Sequence, residues 1–162
     1  MVAKTDFAIC EGNYITDTRS GPISLNEGDS PRYAWTDVSR ANGVSFQRSR
    51  IRFQDVTDGL SQTFLIGEKS VGYQSYCDNS DLGYDQSLLS GVDLDLNRWS
   101  INEPVSDRMG SSRSFGSAHR TAFNISYCDG SARAIDYLID FEVFSSLGDR
   151  NGGKAIARIA HE

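Results

Sequence analysis

Phe115-Gly-Ser-Ala-His-Arg-Thr-Ala-Phe-Asn-Ile-Ser-Tyr-Cys-Asp-Gly-Ser-Ala-Arg-Ala-Ile-Asp136 is the stretch on which the fold turns. From Thr121 to Cys128 the residues alternate, with Thr121, Phe123, Ile125 and Tyr127 on one side and Ala122, Asn124, Ser126 and Cys128 on the other. That is the period of a strand with one face buried. Asp129-Gly130 offers the left-handed backbone of a tight hairpin turn. A second strand follows, with Arg133, Ile135 and Tyr137 facing one way and Ala132, Ala134 and Asp136 the other.

Two further segments bracket this hairpin. Phe53-Gln-Asp-Val-Thr-Asp-Gly-Leu-Ser-Gln-Thr-Phe-Leu-Ile-Gly-Glu-Lys69 holds a turn at Asp58-Gly59, then a compact apolar strand over Thr63–Gly67. Asp140 is a good helix N-cap, Phe141, Phe144 and Leu147 follow at helical spacing, and Gly148 stops the helix. Its aromatic face is expected to pack on the sheet.

These three segments carry a resemblance. His119, nine intervening residues and Asp129-Gly130 resemble the H-x(9)-D-G signature of a large bacterial family of pseudopilin-like proteins, best known from planctomycetes. The block ending Gly67-Glu68-Lys69 resembles that family's D-G-x-S-x-T-x-L-x-G-E-K segment. Asp140 to Gly153 resembles its terminal helix and Gly-Gly tail. The resemblance implies a pilin-like globular head, exported to the periplasm or cell surface, with other pilin-like subunits or type II secretion machinery as partners. It marks His119, Asp129, Gly130, Asp58, Gly59, Gly67 and Glu68 as structural motif residues. Members of that family begin with a prepilin leader and a long apolar helix. Met1-Val-Ala-Lys-Thr-Asp is polar from its fourth residue, so the chain is expected to be the C-terminal portion of a longer product, meeting a membrane only through that helix.

Composition sets the outer limits. A chain of 162 residues suits a single domain with a real core, and 38% hydrophobic against 23% charged residues argues against wholesale disorder. The mean hydropathy of -0.42 fits a loop-rich, strand-rich protein. A net charge of -6 makes nucleic acid a poor partner, because bulk charge does not favour phosphate. The expected fold is α+β, mainly β: a twisted antiparallel sheet with few short helices.

Elsewhere the pattern is less regular. Asp6-Phe7-Ala8-Ile9 reads as a first strand and Leu94–Ser100 as another, with Trp99 as a core or interface anchor. Arginines alternate at 48, 50 and 52, which reads as a strand with a solvated basic face or, alternatively, an anion site. Gly67-Glu68-Lys69-Ser70 is not a phosphate-binding loop, since Glu68 separates the required Gly and Lys.

Candidate chemistry is sparse. Asp78, Asp81, Asp85, Asp93 and Asp95 crowd an irregular segment, where calcium could find oxygen ligands, although the spacing is not that of an EF-hand. A solvated acidic loop is the alternative reading. No cofactor is otherwise required. Tyr73, Tyr76, Tyr84 and Trp99 beside that loop would form an aromatic platform for a solute or glycan. Cys10, Cys77 and Cys128 leave one disulfide or three thiols open. His119 and Asp129 do not form a catalytic dyad: ten extended steps separate them by roughly 30 Å. No G-x-S-x-G, H-E-x-x-H or C-x-x-C motif is present. His119 is expected to be a buried imidazole tying down the loop before its strand, and the protein is expected not to be an enzyme.

Overall fold

A computed structural model describes residues 3–16 and 21–153. Its centre is a five-stranded sheet of β1 (Phe7–Cys10), β2 (Phe64–Glu68), β3 (Asn97–Arg98), β4 (Ala122–Tyr127) and β5 (Ala132–Asp136). The order across the sheet is β3-β1-β2-β4-β5. Among the described residues there are two α-helices, the single turn α1 (Leu25–Gly28) and α2 (Phe141–Leu147), and three short 3-10 turns, Phe53–Asp55, Leu60–Gln62 and Tyr73–Ser75. The fold is therefore α+β and mainly β, as the alternating segments predict. The sheet is mixed rather than wholly antiparallel, because β3 lies parallel to β1 while every other pairing is antiparallel. The chain enters β3 only after the long excursion that follows β2, and it arrives in the direction of β1.

The hairpin forms as its sequence dictates. Phe123 pairs with Ile135 and Asn124 with Ala134, which puts Phe123, Ile125, Tyr127 and Ile135 on one buried face. Gly130 has φ +85, the left-handed region where a side chain is costly. In β2 the register shifts between Phe64 and Ile66, so that Phe64 and Gly67 both face inward. Gly67 lies against Ile125, and a Cβ there would come 2.3 Å from Ile125 Cγ1. The glycine of the Gly-Glu-Lys block is thus required by close packing.

α2 closes the inner face. Asp140 caps it, its carboxylate accepting from the Val143 amide. The buried Phe144 ring sits 5.5 Å from Phe64, 6.4 Å from Phe115 and 6.2 Å from Phe123. With Cys10, Tyr127, Ile135 and Leu147 these rings form the core. The outer face stays open, with Phe7 50% and Ile66 40% exposed. Among the described residues no helix is long and apolar enough to cross a membrane.

Two expectations are corrected. Residues 48–53 form no strand: Arg48 has φ 62, which breaks an extended run, and its guanidinium lies over the Trp35 ring. The strand expected over Leu94–Ser100 shrinks to two residues, because the amides of Leu96 and Asn97 turn back onto the Asp93 carbonyl. Of the two readings left open for the cysteines, the structure has the thiols: Cys10 is buried, Cys128 partly buried and Cys77 exposed, all three free.

Candidate functional site

The antiparallel pairing of β2 with β4 brings the end of the Gly-Glu-Lys block beside the loop that carries His119. One oxygen of Glu68 accepts from the Asn124 amide at 2.6 Å and from its side chain at 3.2 Å. The other faces His119 Nε2 at 3.7 Å. His119 itself is exposed, with 65% of its side chain open to solvent. The buried imidazole anchor is not what the fold uses. Ser117 does that work instead: its amide donates to Tyr137 Oη at 2.9 Å, and its hydroxyl donates to the Ala122 carbonyl and accepts the His119 amide. At the far end of β4, Asp129 completes the turn by accepting from the Ser131 amide and hydroxyl.

Behind Glu68 the chain buries two cations. Lys69 is 2% exposed, and its Nζ donates to the carbonyls of Gly83 at 2.7 Å and Asp95 at 2.5 Å. Burial, helped by the Arg98 charge, lowers its pKa to about 8. Arg98 is fully buried and donates to the carbonyls of Ser114, Leu94, Asn97, Ser70 and Gly83. Burial lowers its pKa to about 10, which still leaves it charged at neutral pH. Neither head group meets a carboxylate; both are held by backbone oxygens, which fixes the irregular chain around them.

Asp107 organises the next layer. Its carboxylate accepts from the Val71 amide at 3.1 Å and from the Tyr76 hydroxyl. Its own amide and carbonyl bond Ser117 and Tyr73. Burial raises the Asp107 pKa, against the opposing effects of Tyr76 and Val71. The Tyr76 phenol is raised in turn, first by burial and then by Asp107. The Tyr84 phenol is raised by burial and by the neighbouring Asp6 carboxylate.

These residues enclose a cavity of about 400 Å³. Asp6, Glu68 and Asp107 supply carboxylates to its walls. Tyr76 and Tyr84 supply rings, and His119, Ser117, Ala118, Lys69 and Val71 complete it. The volume lies in the range of small-ligand sites, and convergent polar groups on aromatic walls are their usual equipment. Two motif residues, Glu68 and His119, thus meet two residues of the expected platform, Tyr76 and Tyr84. Asp6 and Asp107 were not singled out by the sequence. Asp107 stands in the long loop Ile101–Ser114, and nothing local marks it.

Other sequence candidates do not converge there. Trp99 is 4% exposed and serves the interior, so it cannot form a platform; Tyr73 is exposed outside the cavity walls. The five acidic-loop residues are not gathered round a point. Asp78, Asp81, Asp93 and Asp95 each accept backbone amides, from Ser80, from Gly72 and Gly83, from Asp95 and from Gln86 respectively. Among the described residues no group of three or more His, Cys, Asp and Glu side chains is placed to hold a metal ion. Asp58 sits elsewhere, its carboxylate accepting the Gly153 amide at 3.0 Å, and so ties the Asp-Gly block to the Gly-Gly tail.

A family model described as "Protein of unknown function (DUF1559)" matches residues 2–142. The chain belongs to this family. The matched span runs from before β1 to the start of α2, and every residue that lines the cavity lies within it. Neither the curated proteins nor the solved structures gave a match.

Proposed function

We propose that this DUF1559 chain is the exported, non-enzymatic globular head of a pilin-like or type II secretion-associated surface protein, acting in assembly or surface contact. The observation that carries this reading is the open outer face of the sheet. Phe7 and Ile66 stand exposed there, with Ile9 paired to Ile66 across the strands. Apolar groups on an otherwise finished sheet are the mark of a contact surface. The H-x(9)-D-G resemblance supplies the class of partner: another pilin-like segment.

The test uses the complete gene product in its native cells. Its head should be accessible to protease added outside the cell. Phe7→Asp and Ile66→Asp should disturb assembly into the envelope while the isolated head keeps its melting temperature. Retention of the product inside the cell would overturn the reading.

The cavity at Glu68 and His119 favours a second reading, a module that binds a small solute. A pilin-like head can carry such a site, since neither Phe7 nor Ile66 lines the cavity, although Phe7 pairs with Glu68 beside it.

A further inference from the structure

We propose that the cavity takes a small organic cation, an ammonium or guanidinium group, rather than a metal ion, a neutral sugar or an anion. The proposal rests on the solute-binding reading and names its ligand class.

The walls set the sign. Asp6, Glu68 and Asp107 all border the space, Asp107 with its two oxygens already accepting from Val71 and Tyr76, and the one lysine of the lining has its head group engaged by the carbonyls of Gly83 and Asp95. The lining is therefore carboxylate-rich, with no uncommitted lysine or arginine to offer an anion. The charge is not gathered as a point cation would need it. Among the described residues no three acidic or histidine side chains share a site for a metal ion. A guanidinium or ammonium group suits separated carboxylates better. It carries three to five N–H donors spread around its charge, and its hydrophobic stem can lie on aromatic rings. Tyr76 offers such a wall, and its hydroxyl is already fixed by Asp107. Glu68 is held in place by Asn124, so its second oxygen is positioned before any ligand arrives. His119 stands at the solvent-exposed side of that oxygen.

The experiment is isothermal titration of the folded chain with agmatine, which carries a guanidinium and an ammonium. Parallel titrations use glucose, calcium chloride and sodium sulfate, and acetyl-Gly-Arg-Gly-amide separates a free solute from an arginine presented by a protein. Agmatine should bind at one site and weaken as salt is raised. Glu68→Gln, which keeps the acceptor for Asn124, should weaken it at least tenfold. His119→Arg, at an exposed position, should do the same by placing a fixed charge at the rim, with the melting temperature of both variants unchanged. Binding of the peptide as well would assign the site to a protein side chain; binding of agmatine alone would assign it to a free solute; both support the cation class. Agmatine heats that survive both substitutions would overturn the location. Binding of glucose or sulfate without agmatine would overturn the cation class and leave the solute reading standing. Silence from every probe at millimolar concentration would overturn both.

Discussion

The β4–β5 hairpin and the segment from Ser70 to Ser114 are held by opposite means. In the hairpin β4 is paired on both sides, by β2 and β5, β5 closes the sheet as its edge, and side chains need only alternate. The other segment has only two paired residues, Asn97 and Arg98, yet Ser70, Val71, Trp99 and Ser100 within it are buried. Its carbonyls are satisfied by side chains that reach across long sequence separations, above all Arg98 and Lys69. Buried backbone groups must be paired somehow. A strand does this with its own backbone, whereas an irregular segment spends a charged side chain on it. The cavity lies where the two kinds of structure meet, with Glu68 and His119 from the sheet side and Tyr76, Tyr84 and Asp107 from the irregular side.

The largest effect should come from removing the centre of the irregular segment. Arg98→Met fills much of the same volume but leaves the carbonyls of Leu94 and Ser70 without the Arg98 donor, while that of Ser114 keeps only the Ser70 amide. An unsatisfied buried acceptor costs about 1–3 kcal/mol, so the loss should reach about 4 kcal/mol or more. Urea denaturation measures it, and hydrogen exchange should quicken first between Ser70 and Ser114. A variant as stable as the parent would mean that the carbonyls find other partners and that the contrast with the hairpin is false.

The hairpin should break more gently. Gly130 has open space around the position of a Cβ, so a substitution there meets only the backbone penalty of φ +85. Gly130→Val should cost about 1–2 kcal/mol, and Gly130→Asn less, since Asn tolerates the left-handed region. Thermal melts of the pair would check this. Equal losses for Val and Asn would show that something other than φ is at work.

That asymmetry also decides what could be read from the sequence. The alternation from Thr121 to Cys128, the Asp-Gly turn and the capped helix after Asp140 are local signals, and each forms where its residues place it. The stretch 48–53 alternates just as well but finds no partner strand, and Arg48 leaves the extended region. Alternation is necessary for a strand, and pairing is the part that sequence does not carry. The site was half legible. Glu68 and His119 stood out as a motif, but their proximity depends on the register of β2 against β4. Asp107 meets Val71 and Tyr76 across separations of 36 and 31 residues, which no local pattern encodes. His119 was misplaced because a lone histidine before a strand resembles a loop anchor, while the anchoring fell to the unremarked Ser117 and Tyr137.

A pH-dependent effect concerns a carboxyl that both kinds of structure share. Glu11 follows β1 directly and is fully buried. Thr16 donates its hydroxyl to one oxygen; the other has Asn97 and Trp99 beside it, at a geometry short of a hydrogen bond. Burial therefore outweighs those neighbours and pushes the Glu11 pKa up to about 7 from an ordinary 4.5. Between those two values the folded protein holds a proton that the unfolded chain has released. Stability must then fall as pH rises from about 4.5 to 7, with no further loss from this group above that window. Glu11→Gln keeps the outline of the side chain and removes the titration. Asp95 and Asp107 are also raised by burial and slope the same way, so the parent alone does not isolate Glu11. The difference between parent and variant does. Melting temperatures taken from pH 4.5 to 7.5 should show the parent losing ground to Glu11→Gln by a few degrees, with the gap opening inside the window and closing below it. Two parallel curves would mean that the buried carboxyl is charged at no cost, through partners that Asn97 and Trp99 supply once the protein relaxes.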